Sequence, residues 1–195
     1  MGHSDTSFPH LVSLAAHDLR TPLATIHGFA QTLVRMGDLG EPKQRYMEMI
    51  DAASRQLAEL LDELGIAARI EGERYEPNIQ PVNTEELARA AVESLGDDRV
   101  VVLGHGRDVR VDVGATKRGV AALAQAALRH GGLEQVDVRI DGAMLAISPV
   151  TDSSGPVVIG DDLRDLGAAV ACKVIRALGG TVERDGDALV VRLPE

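Results

Sequence analysis

The chain of 195 residues has no tryptophan, two phenylalanines and two tyrosines. Its core cannot rest on rings and falls to Ala, Val, Leu and Ile. Hydrophobic residues still make up 45% of the total, enough to fill one. A single cysteine, Cys172, excludes an internal disulfide and suits a reducing compartment, so a cytoplasmic location is expected. Its plain role is that of a small buried apolar side chain. Basic residues are outnumbered, Lys+Arg 20 against Asp+Glu 30, for a net charge of −10. That argues against a nucleic-acid partner, because phosphate contacts need a basic surface. No apolar run approaches the roughly 20 residues that span a bilayer, and no signal peptide is visible. The opening Met1 to Ser7 is polar and reads as a frayed end.

What the chain does have is periodicity. Phe8, Val12, Ala15, Leu19, Pro22, Ile26, Phe29, Leu33 and Met36 follow one another in alternating steps of 4 and 3. That seven-residue repeat marks helices that pack at a shallow crossing angle. Gly37, Gly40 and Pro42 interrupt it, and Tyr46, Ile50, Ala53, Leu57, Leu60, Leu64 and Ala67 resume it. The pattern predicts two long helices in an antiparallel hairpin. Leu11, Leu14, Leu23, Met47 and Leu61 widen the apolar stripe beyond a two-helix contact. Two hairpins joined as a four-helix bundle would cover it, so a homodimer is expected.

On this register His17 falls between the seam residues Ala15 and Leu19 and points outward. An exposed imidazole is substantially neutral at cellular pH and has a free ring nitrogen with which to attack phosphorus. A phosphoryl group carries about two negative charges and belongs in water rather than in a core. His10, His27 and His105 read as solvated surface residues, and His10 shares the heptad position of His17. The neighbours of His17 single it out: His17-Asp18-Leu19-Arg20-Thr21-Pro22-Leu23 sets a carboxylate beside the ring and a threonine one turn on. Pro22 inside a helix removes a backbone hydrogen bond and bends it.

From Gly72 to Pro81 the chain reads as a linker. Asn83 is a helix cap with Glu86 three residues on, opening a helix to about Leu95. Arg99–Leu103 and Val109–Val113 read as strands around a Gly-rich turn, followed by a helix from Ala115 to Arg129. Val136–Ile140 and Met144–Ile147 flank Asp141-Gly142, a hairpin signal. A helix over Leu163–Leu178 precedes a last hairpin, Thr181–Arg184 with Ala188–Leu193. Helices layered on an antiparallel or mixed sheet make an α/β sandwich. The division is residues 1–76 for the hairpin and 77–195 for the sandwich, an α+β chain overall.

The His17–Leu23 run resembles the phosphoacceptor box of bacterial two-component histidine kinases, with Asp in place of the commoner Glu. The element order from Phe8 to Leu193 is similar to that of the kinase core, a dimerising phosphotransfer hairpin followed by an ATPase-like domain. The resemblance implies that His17 is the phosphorylated residue, that Asp18 acts as base or orienting acid, and that Thr21 positions water for hydrolysis. Arg20 is either a surface charge or a group near the phosphoryl. It also implies an ATP site, and three of its boxes differ here. The run that supplies Mg²⁺ through asparagine reads Ala126-Ala127-Leu128-Arg129-His130, with Ala122 a turn earlier. The aspartate that binds adenine becomes Pro149, and the Gly-x-Gly phosphate cradle becomes Asp165-Leu166-Gly167. Asp152-Ser153-Ser154-Gly155 is the alternative, a displaced nucleotide box. His130 reads as a helix-end residue favoured by the dipole. The expectation is a chain without ATP, Mg²⁺ or any other cofactor: a histidine phosphotransferase moving a phosphoryl group between response-regulator receiver domains through His17. A sensor kinase core with a divergent ATP site and a non-catalytic dimeric adaptor are the alternatives.

Overall fold

The computed structural model describes residues 8–36 and 42–194. The polar opening and the Gly37–Gly40 break lie outside them. Two helices come first, α1 (Phe8–Met36) and α2 (Pro42–Glu71), packed against each other as the heptad seam requires. Pro42 does not interrupt the second helix but opens it. There its missing N–H is one that no helical bond would have used. Buried Ala15 and Ala53 lie in the seam, and the stacked rings of Phe29 and Tyr46, centroids 5.3 Å apart, hold the loop end together. The hairpin does not enclose its own stripe: Leu23, Met47 and Leu61 are 58%, 60% and 56% exposed. The side chains of Leu11 and Leu14 are outside the described residues.

The second unit contains two sheets. Strand β1 (Ile79–Asn83) pairs antiparallel with β3 (Asp108–Asp112). The linker is therefore shorter than expected, since its last residues, Ile79 to Pro81, are strand. Proline is tolerated there because each of these two strands has an open edge. Helix α3 (Thr84–Leu95) starts at the anticipated cap, Asn83, whose side chain accepts from the Glu85 N–H. Strand β2 (Val100–Gly106) does not form a hairpin with β3. It runs parallel to β4 (Val136–Gly142) at the edge of a five-stranded sheet. Gly104 takes φ +99, and a Cβ there would come within 2.1 Å of the Ile140 carbonyl oxygen, so only glycine fits that crossing.

Helix α4 (Val113–Gly131) begins where a strand end was expected, at Val113, because Asp112 caps it by accepting from Ala115 N–H. The same carboxylate accepts from the Tyr75 hydroxyl and from Asn78 N–H, fastening the linker to the start of α4. Strands β4 and β5 (Met144–Ser148) form the expected hairpin, as do β6 (Thr181–Asp185) and β7 (Ala188–Arg192). The sheet order is β2-β4-β5-β7-β6. A short α5 (Gly155–Val158) went unread in the sequence, and α6 (Leu166–Ala177) starts three residues later than expected. One core packs α3, α4 and α6 on the larger sheet, through Leu87, Leu123, Leu145 and Ile175 among others. A second, smaller one joins the two units: Ala15, Ile66 and Ala67 of the hairpin meet Leu166, Ala169 and Val170 of α6.

Candidate functional site

His17 stands on the outer face of α1 with its side chain 76% exposed. Its Nδ1 lies 3.1 Å from Asp18 Oδ1. In the neutral tautomer that donates Nδ1–H to this carboxylate, Nε2 keeps its lone pair. Arg20 and Thr21 are exposed on the next turn. The backbone bond that Pro22 cannot donate is the one to the Asp18 carbonyl, so α1 lacks one rung directly beneath the histidine.

Beside this turn the hairpin and the second unit enclose a cleft of about 310 Å³. Its hairpin wall is Asp18 and Thr21 of α1 with Gln56, Glu59 and Glu63 of α2. The opposite wall holds Ala122, Gln125 and Arg129 of α4, then Arg164, Asp165 and Gly167 at the start of α6. Gly167 allows three helices to converge: a Cβ there would sit 3.2 Å from both the Ala122 methyl carbon and Glu63 Oε1. Glu63, which no motif signalled, is largely buried. Burial first, then Asp165 and Glu59, pushes its carboxyl up to about 7, against the pull of Arg118.

Asp165 decides the character of the α4–α6 side. It caps α6, accepting from Ala168 N–H at 3.0 Å with one oxygen. The other oxygen accepts from His130 Nε2 at 3.0 Å and from Arg129 Nη1 at 3.3 Å. Only 8% of Asp165 is exposed. His130 is thus more than a helix end: it is tied across to the next helix. The replacement of glycine by Asp165 was visible in the sequence, whereas its two partners were not, because they lie 35 and 36 residues away. Ala126 is fully buried. The run of the displaced-box alternative, Asp152–Gly155, forms a local turn. Thr151 N–H donates to Ser154 Oγ in a local turn, and Asp152 pairs with Arg184 at 2.9 Å. Among the described residues no group of three or more His, Cys, Asp or Glu side chains is gathered closely enough to hold a metal ion, and no helix is long and apolar enough to cross a membrane.

Residues 10–73 match the His Kinase A (phospho-acceptor) domain. Over 167 residues the chain is 32% identical to the sensor protein kinase PmrB of Pseudomonas aeruginosa, covering 76% of this chain and 32% of that protein. The curated relatives it matches are much longer; the chain spans about a fifth to a third of the length of PmrB and of the probable sensor histidine kinase TcrY of Mycobacterium tuberculosis. Among solved structures, the Acinetobacter baumannii histidine kinase AdeS superposes with a TM-score of 0.66 at 17% identity, over 90% of this chain and 94% of that one. A bacterial phosphotransferase superposes with a TM-score of 0.50 at 15% identity, over 98% and 97%. At these identities the structural likenesses establish the fold: a helical hairpin followed by a mixed α/β sheet domain of the kinase ATPase type.

Proposed function

We propose, for a chain that has the core of a two-component histidine kinase with a His Kinase A phospho-acceptor domain, that His17 accepts a phosphoryl group from the aspartyl phosphate of a receiver domain and returns it to another. In the forward step Nε2 forms a P–N bond, the acyl P–O bond breaks, and the receiver carboxylate leaves. The positive charge that this puts on the ring lies against Asp18, which keeps the Nδ1 proton. The energy of transfer resides in the acyl phosphate, so none is drawn from a nucleotide. Thr21, exposed on the cleft rim one turn away, is the group that would hold a hydrolytic water. Arg20 is in reach of the same face as a charge partner for phosphate.

The observation that carries this reading is Asp165. In a nucleotide site the N-terminus of α6 would offer free N–H groups to phosphate. Here a carboxylate takes one of those N–H groups and engages Arg129 and His130 as well. Asp18, Glu59 and Glu63 face it across the cleft. Ala122 and Ala126 offer a hard cation no oxygen. These residues do not fit a nucleotide triphosphate with its Mg²⁺. A second reading, an autophosphorylating kinase core, is favoured by the intact acceptor box and by relatives such as PmrB. Titration calorimetry with ATP and Mg²⁺ separates them. The phosphotransferase reading expects no binding at micromolar concentration together with transfer of label from a phosphorylated receiver to His17. Micromolar binding followed by self-labelling establishes the kinase.

The partners that follow are receiver domains and a second copy of the chain. The second copy would cover Leu23, Met47 and Leu61, which the hairpin leaves exposed. A cytoplasmic setting suits the free thiol of Cys172.

A further inference from the structure

We propose that Glu63 is a proton-operated clasp between the hairpin and the sheet domain, holding the two docked while its carboxyl is protonated and loosening them when it ionises. The docked arrangement places this carboxyl on α2 against the start of α6, where Gly167 leaves it room. The charged groups that act on it come from every neighbouring element: Asp18 of α1, Glu59 of its own helix, Asp165 before α6, and Arg118 of α4. Three are carboxylates and one is a cation. Of the other basic groups on that side, Arg129 and His130 are committed to Asp165, Arg164 to Asp162 and Lys173 to Glu71. An ionised Glu63 would therefore face three carboxylates against the one cation, Arg118, that acts on it.

The sign follows from linkage. In the docked arrangement burial, then Asp165 and Glu59, hold the Glu63 carboxyl up at about 7 against an ordinary value of 4.5; the burial and the Asp165 share are lost on opening, so the docked form binds the proton more tightly than the open one. Its advantage is complete below about pH 4.5, falls as pH rises through the window to about 7, and is flat above that. Glu59 and Asp18 remain beside Glu63 when the domains part. Only burial, Asp165 and Arg118 are lost, so the effect is smaller than the full shift implies. The apolar cluster of Ala15, Ile66, Leu166 and Ala169 favours docking at every pH, and ionisation weakens that state without abolishing it.

The docked domain covers Ala15, two residues before His17, and walls off one side of Asp18 and Thr21. Opening would widen the approach to the phosphoacceptor turn for a folded partner. That consequence rests on the role proposed for His17, whereas the clasp itself does not.

Thiol accessibility in the full chain tests it without any phosphate chemistry. Ala169→Cys places a thiol in the interdomain cluster, where only undocking exposes it. Cys172, buried in the domain's own core, reports unfolding of that domain and serves as the internal control. Modification by a disulfide reagent is followed at pH 5.5 and pH 8 and divided by the rate of a free thiol at the same pH. The corrected rate at position 169 should rise about tenfold. In the Glu63→Gln background, which is neutral at both pH values, it should stay at the low value, and Cys172 should remain slow throughout. Val174→Cys, in the same cluster, repeats the measurement should the first thiol disturb packing. An unchanged rate at 169, an equal rise in Glu63→Gln, or equal reactivity at 172 overturns the clasp. Loss of phosphotransfer to His17 bears on none of these readouts.

Discussion

The His17 turn of α1 and the α4–α6 face lie on either side of one cleft, yet their polar groups are arranged in opposite ways. On α1 the imidazole stands open: His17 is 76% exposed and bonds to Asp18. On the other side the charged groups are engaged with one another. Asp165 commits one oxygen to a helix N-terminus and the other to Arg129 and His130, beside the alanines Ala122 and Ala126. The lesson concerns which residues carry shape and which carry chemistry. Shape rests on apolar positions and on close approaches such as Gly104 and Gly167, where a single added carbon meets backbone or a neighbouring helix. The polar side chains of the α4–α6 face are a separate matter: they satisfy one another through Asp165 and leave the sheet order untouched.

The comparison breaks most sharply at His17. His17→Gln should reduce label transfer from a phosphorylated receiver to background, a loss of at least roughly 1,000-fold, since no other group on that turn offers a nucleophile. Its free energy of unfolding in urea should change by less than about 0.5 kcal/mol, as expected for an exposed side chain. The opposite face should answer in reverse. Asp165→Ala removes a helix cap and leaves His130 and Arg129 without their acceptor, and should cost about 2 kcal/mol in urea unfolding. Initial transfer rates at His17 should stay within twofold. If Asp165→Ala abolished transfer while remaining folded, the two faces would not be independent.

How much of this was legible in the sequence divides along the same line. Local signals held. The heptad seam gave the hairpin; Asn83 capped α3; Asp141-Gly142 and Asp185-Gly186 marked their hairpins, with both glycines at positive φ. The exposure of His17 followed from its place between Ala15 and Leu19. Signals that needed long-range pairing failed. The β1 strand looked like linker because its partner, β3, lies 25 to 33 residues on, and β2 looked like one arm of a hairpin until its parallel pairing with β4 was known. Glu63 was the largest omission. On α2 it is one acidic residue among several, and only the docking of α6, about a hundred residues later, buries it. The Asp165–His130 contact was hidden for the same reason: each residue had an adequate local explanation.

Asp18 offers the finest test of the acceptor side, because its two contributions separate. Asp18→Asn keeps an oxygen able to accept from Nδ1–H, so the ring tautomer and the free Nε2 survive. It removes the negative charge beside an imidazole that becomes cationic on phosphorylation. The pair is only partly shielded, with His17 largely in water and Asp18 28% exposed, so a buried-charge effect does not apply. A loss of about 1 to 1.5 kcal/mol in the transition state is in scale for a charge-assisted contact at such a site, about tenfold in the transfer rate. Because that contribution is electrostatic and close to solvent, the ratio of native to Asp18→Asn rates should shrink as ionic strength rises from 0.05 to 0.5 M. A ratio indifferent to salt would mean that Asp18 works by orienting the ring alone, and the asymmetry between the two faces would then be one of geometry rather than of charge.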